Sequence, residues 1–134
     1  MQNYLDEIVK PQQKVNNLFN TLGVLVEKVA KDEAVLRLPL GPQFLQGGKS
    51  TGGGIIATMA DECMAHVVLP NLEAGQRTVT IEMNIRYLRG IAEGELVARA
   101  KIVRRGRTVI TAEAEVCSGE GVLLATAGAS FWVG

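Results

Sequence analysis

Hydrophobic and polar positions change their period twice along the chain. Tyr4, Leu5, Ile8 and Val9, then Val15, Leu18 and Phe19, recur at helical spacing. The expectation is an N-terminal helical segment over residues 1–22, broken near Pro11 and resuming from about Gln12. From Val24 the period becomes two. Leu25–Val29 and Ala34–Leu38 read as strands around the turn Ala30-Lys31-Asp32-Glu33, and Pro39 with Gly41-Pro42 ends the hairpin. A glycine-dense loop then leads into an apolar run from about Gly53 to Leu69. That run is long for a strand and is interrupted only by Asp61, Glu62 and His66. A helix apolar nearly all round belongs in the middle of a structure.

After Gly75 the two-residue period returns. Arg77–Leu88 alternates, with Val79, Ile81, Met83, Ile85 and Tyr87 on one face and Thr80, Glu82, Asn84 and Arg86 on the other. Glu95–Arg104, Thr108–Cys117 and Val122–Val133 follow as strands, joined by turns at Arg105-Gly106 and Ser118–Gly121. Their expected inward faces are Leu96, Ala98, Ala100 and Ile102, then Ile110, Ala112, Ala114 and Val116, then Leu123, Ala125, Ala127, Ala129 and Phe131. One long helix must cover a large antiparallel sheet. The fold class is therefore α+β, an antiparallel β-sheet wrapped around a long central α-helix.

Length and composition narrow this picture. The 134 residues read as a single domain, 1–134, able to bury a real core. Fourteen basic and 14 acidic residues cancel, and no segment is strongly basic. Nucleic acid and anionic membranes are therefore not expected partners. The polar, acidic start is no signal peptide, and no apolar run approaches the ~20 residues of a membrane span, so the expected location is cytoplasmic. Cys63 and Cys117 lack the short spacing of a metal or redox pair and read as reduced core thiols.

Chemistry concentrates at the glycine loop and its helix. A helix start leaves N–H groups unpaired, and glycine has no side chain to shield them. A helix opening on Gly52-Gly53-Gly54 is a cradle for an anion or a carbonyl, with the Asp61 carboxylate about two turns further in. Two readings of Asp61 stand side by side: a working carboxylate, or one paired with an arginine at a subunit interface. Glu62 points roughly 100° away on the helix and reads as solvated or salt-bridged. The loop is no nucleotide-phosphate motif, because Lys49-Ser50 precedes the glycines without the required upstream spacing. His66, five residues beyond Asp61, reads as a packing or interface residue. Arg104, Arg105 and Arg107 flank a hairpin turn and are either a solvated basic loop or a phosphate site.

The run Gly52-Gly53-Gly54-Ile55-Ile56-Ala57-Thr58-Met59-Ala60-Asp61 resembles the His-Gly-Gly…Asp signature of hotdog-fold thioesterases of the phenylacetate-pathway (PaaI-like) type. Thr80–Arg89 looks like a strand of that family, and Val103–Thr108 like its hairpin. The resemblance runs from Leu22 to the C-terminus. It implies a hotdog fold and subunits that pair edge to edge into a homodimer, commonly a dimer of dimers, with sites at the dimer interface. It implies hydrolysis of acyl-CoA or aryl-CoA thioesters without metal or organic cofactor, coenzyme A being part of the substrate. Asp61 matches the nucleophile or general base, and Gly53 the glycine whose N–H polarises the thioester carbonyl. Gln46 stands where many members have Asn and hydroxybenzoyl-CoA thioesterases have Gln, contacting thioester or water. Thr80 aligns with a Ser or Thr that reaches the site from the partner subunit. Gly52 departs from the pattern, because most members have His there. A module that binds acyl-CoA without hydrolysing it is the alternative. A hotdog dehydratase is disfavoured, because the His and carboxylate pair of those enzymes is missing.

Overall fold

A computed structural model describes all residues from Met1 to Gly134. Its order is α1 (Gln2–Ile8), α2 (Asn17–Leu22), β1 (Leu25–Val29), β2 (Glu33–Pro39), β3 (Leu45–Gln46), β4 (Ser50–Thr51), α3 (Gly53–Val68), β5 (Thr78–Tyr87), β6 (Glu95–Arg105), β7 (Val109–Ser118) and β8 (Leu123–Val133). Six strands form one antiparallel sheet in the order β1-β2-β6-β7-β8-β5. The short strands β3 and β4 pair only with each other. Helix α3 packs on β2 and on β5 to β8, the hotdog arrangement.

Packing holds α3 in place more than helix propensity does. It opens on glycine, which costs about 1 kcal/mol per residue relative to alanine in a helix. Against that, Ile56, Met59, Met64, Val67 and Val68 are buried, each contributing about 1.5–3 kcal/mol. The facing strands present small residues: Ala98, Ala100, Ala112, Ala114, Ala125 and Ala129 are all buried, so the sheet approaches closely. The helix is not covered all round, however. Gly54 is exposed, and Thr58, Asp61, Glu62 and Ala65 are only partly buried, a stripe that the sheet leaves open.

The second N-terminal helix begins at Asn17, later than the expected start near Gln12. Asn16 supplies the reason, because its side chain accepts from the Phe19 N–H and caps the helix there. The preceding turn is tied by Gln13, whose side-chain oxygen accepts from the N–H groups of Val15 and Asn16.

Four irregularities interrupt the pairing, at Glu27, Ile81, Val103 and Leu124, and those at Ile81 and Leu124 overturn the expected faces. In β5, Thr80 lies opposite Phe131 and Glu82 opposite Ser130, so Ile81 is an extra residue. Beyond it, Met83, Ile85 and Tyr87 face the helix; before it, Thr80 does. Val79 and Ile81, expected inward, are instead 59% and 55% exposed. In β8, Val116 pairs with Ala125 and Cys117 with Leu123, which makes Leu124 the extra residue. Leu124 is buried, and Leu123, expected inward, is exposed.

His66 fastens the N-terminal segment to α3. Its ring is 4% exposed and stacks against Phe19 with centroids 5.0 Å apart. Nδ1 lies 2.7 Å from the Glu62 carbonyl oxygen, and Nε2 lies 2.8 Å from the Tyr4 hydroxyl. With Nδ1–H donating to that carbonyl, Nε2 accepts from the hydroxyl. Burial pushes the His66 pKa below its ordinary 6.5, so the fold holds the ring neutral. The unfolded chain takes up this proton first as pH falls. The His66 contribution is therefore fully present above about pH 6.5 and is lost as pH drops toward the depressed folded value. Urea unfolding at about pH 7.5 and 5.5 measures this. Native stability falls between the two, and a His66→Gln variant, though less stable at both, shows a smaller fall.

Candidate active site

The loop that opens α3 is clamped on both sides. The Gly52 N–H donates to the Phe44 carbonyl at 2.8 Å, and the Thr51 N–H to the Ile91 carbonyl at 2.7 Å. Gly47 and Gly48 carry the β3–β4 turn with φ of 56° and 84°, the left-handed region that favours glycine. Gly52 is the N-cap and offers no side chain to the helix start. Its carbonyl accepts from the N–H groups of Ile55 and Ile56. The N–H groups of Gly53 and Gly54 have no acceptor within the chain. They remain as donors at the positive end of a 16-residue helix.

Gly53 sits under a residue that sequence reasoning gave no role. The Tyr87 hydroxyl donates to the Gly53 carbonyl at 2.8 Å. A Cβ on Gly53 would lie 3.2 Å from the Tyr87 ring carbon Cζ, so the tyrosine occupies the space a side chain would need. Gly52 is under no such pressure. A Cβ there would meet the Gln46 amide oxygen and the Phe44 carbonyl no closer than 3.8 Å. Gln46, Gly52, Gly53 and Tyr87 thus gather at the start of α3. Thr51, one residue before the N-cap, holds the one buried side-chain polar atom without a partner, its hydroxyl oxygen.

Asp61 lies further along the open stripe. The Thr80 hydroxyl donates to its Oδ1 at 3.1 Å, within the same chain. Thr80, expected to meet the site from a partner subunit, thus touches the Asp61 of its own chain, and the Ile81 bulge turns it toward that helix. Asp61 makes no ion pair. Glu62 forms none either, and burial first, then the Asp61 charge, pushes its pKa up.

The arginines are divided. Arg105 is committed, its Nε donating to the Asn71 side-chain oxygen at 2.5 Å and a terminal nitrogen to the Lys31 carbonyl at 3.0 Å. Those partners lie beyond the far end of α3 from the glycines, so Arg105 does not join them. Arg104 and Arg107 are exposed on the same hairpin and carry no ion pair. Cys63 is buried and burial pushes its thiol up to about 12, which leaves it unreactive. Cys117, expected in the core, is only partly buried. No group of three or more His, Cys, Asp or Glu side chains converges. No helix is long and apolar enough to cross a membrane.

The donors and the carboxylate do not meet within one chain. Eight residues at 1.5 Å each place Asp61 about 12 Å along the axis from Gly53. One carbonyl group needs its oxygen about 3 Å from a donor and its carbon about 3–3.5 Å from the attacking atom.

The chain is similar in sequence and in fold to known proteins. A Halobacterium salinarum protein named "Putative esterase" is 36% identical over 122 residues, 87% of this chain and 74% of its own length. A Saccharolobus solfataricus protein of the same name is 31% identical over 129 residues, 96% of this chain and 89% of its own. The crystal structure of a phenylacetic acid degradation-related protein from Ralstonia eutropha JMP134 superposes with a TM-score of 0.86 at 30% identity, covering 97% of this chain and 99% of that one. The Escherichia coli PaaI protein superposes with a TM-score of 0.81 over 88% of this chain and 84% of its own, and at 21% identity it speaks for the fold alone. The model of the thioesterase superfamily matches residues 52–125, a span that opens on the glycine cradle itself. With that match added to the fold and the site, the chain belongs to the thioesterase superfamily.

Proposed function

We propose that this protein is an acyl-CoA or aryl-CoA thioesterase whose working site is shared between two copies of the chain. The observation that carries the reading is the pairing of Asp61 with Thr80 on the open stripe of α3, two turns from unpartnered glycine N–H donors. A second copy with its α3 antiparallel would bring Gly53 of one chain beside Asp61 of the other. The free edge of β5 supports such a pairing. It is ten residues long and carries exposed Val79 and Ile81, and an unpaired edge of that kind calls for a partner.

In this reading the thioester carbonyl oxygen accepts from the Gly53 N–H. Asp61, held by Thr80, either attacks the carbonyl carbon or takes a proton from the water that does. The oxyanion that forms is stabilised by the helix-start donor, a role that needs no charged side chain. The carbon–sulfur bond then breaks. Where water attacked, the thiolate takes the proton that Asp61 removed. Where Asp61 attacked, water hydrolyses the acyl–Asp61 anhydride, supplying the second oxygen of the acid and the proton of the thiol. Gln46, beside Gly52, holds the carbonyl or the water. Gly52 and Gly54 keep the cradle open to substrate. Arg104 and Arg107 are free to meet coenzyme A phosphates, while Arg105 braces their hairpin.

A thiol-release assay across short, aromatic and long acyl-CoA esters tests this. The wild-type protein turns over at least one of them. Asp61→Asn lowers kcat by about 100-fold or more, the ordinary scale for losing a general base, yet still binds the ester within a few-fold. Full activity in Asp61→Asn would remove the carboxylate from the mechanism. Saturable ester binding with no thiol released by the wild type would instead favour a binding module.

A further inference from the structure

Tyr87 is not accounted for by the reaction as described, yet it makes the one side-chain hydrogen bond to the backbone of Gly53, the first helical residue. The carbonyl it touches belongs to the same planar peptide as the Gly54 N–H, because the Gly53 carbonyl and the Gly54 nitrogen are joined by one amide bond. Fixing the carbonyl end of that plane fixes the direction of its N–H end. The neighbouring plane, which carries the Gly53 N–H, is already fixed, since its Gly52 carbonyl accepts from Ile55 at 3.0 Å. Both planes that present free donors are therefore anchored at their carbonyl ends, both by the helix's own turn and the Gly53 carbonyl by the tyrosine as well.

This anchoring has a physical purpose. Three consecutive glycines have the widest backbone freedom of any tripeptide, so at its first turn the helix holds their N–H groups less firmly than it would those of other residues. No Cβ on Gly54 would meet anything within 4 Å, so nothing near that position restrains it sterically. Tyr87 does restrain it. The residue closes β5, where it pairs with Ala125, and the two N–H groups that follow, of Leu88 and Arg89, both donate to the Leu124 carbonyl. A hydrogen bond accepted by a peptide carbonyl also strengthens donation by the N–H of the same peptide.

We infer that Tyr87 is a positioning residue that aims the Gly54 N–H, so that the cradle offers two donors, from Gly53 and Gly54, to one carbonyl oxygen of the bound ester. The inference rests on the proposed thioester reading and names a second donor and its support.

The test pairs kinetics with a spectrum. Tyr87→Phe keeps the ring and removes the hydroxyl. On the ester that turns over best, it lowers kcat by about ten-fold or more and leaves KM within about two-fold, since a donor to the developing oxyanion is worth more in the transition state than in the ground state. The second readout uses the non-hydrolysing Asp61→Asn protein with the tightest-binding ester of the panel, carbon-13 labelled at its carbonyl. The bound carbonyl stretch lies below its frequency in water, and adding Tyr87→Phe moves it part of the way back. A merely structural tyrosine would not move that band. An unchanged frequency overturns the inference, whether or not kcat falls. If the wild type binds ester but releases no thiol, the hydrolytic reading fails and the frequency shift alone decides the role of Tyr87.

Discussion

The rise of the α-helix governs this molecule. The donors at the start of α3 and the Asp61 carboxylate are set about 12 Å apart by eight residues of regular backbone, and no side-chain rearrangement shortens that. In the proposed reading one chain therefore presents two half-sites, a donor end at the glycines and an acidic end at Asp61. The sheet serves both. It buries the opposite face of α3 and sends one side chain to each end, Thr80 to Asp61 and Tyr87 to Gly53.

That double delivery depends on a defect in the sheet. Thr80 and Tyr87 are seven residues apart, and in a regular strand an odd separation puts side chains on opposite faces. The extra residue at Ile81 restores the parity, so both reach the helix. The same bulge leaves Val79 and Ile81 exposed near the free edge of the sheet. Placement of the site and exposure of an edge that suits a second copy thus have one structural cause.

Much of the architecture was legible from periodicity. The six long strands and α3 lie within about two residues of where the pattern puts them, because alternation and turn residues encode burial directly. The bulges were not legible, since an extra residue is defined by the partner strand and not by its own neighbours. The miniature β3–β4 pairing escaped for want of length, and the start of α2 because the Asn16 cap competes with a longer apolar pattern. At the site, the glycine cradle and Asp61 were visible as residue types in a spacing. The contacts of Thr80 with Asp61, of Tyr87 with Gly53 and of Arg105 with Asn71 were not, because each joins distant segments.

The central claim is that donors and carboxylate act across two copies of the chain. Co-expression of an Asp61→Asn chain with a Gly53→Pro chain tests it directly. Proline at the first helical position removes the N–H, and Gly52, at φ −58° and ψ 136°, already has the backbone a residue before proline needs. The Tyr87 ring, 3.2 Å from the new Cβ, has to give by a few tenths of an ångström, so the folded state of this variant is checked alongside. Each variant alone is inactive. In a symmetric dimer with random pairing, half the dimers are mixed and each regains one intact site of two, so about a quarter of the wild-type thiol release returns. If the co-expressed pair stays as inactive as the single variants although mixed dimers form, the site lies within one chain and the account is wrong.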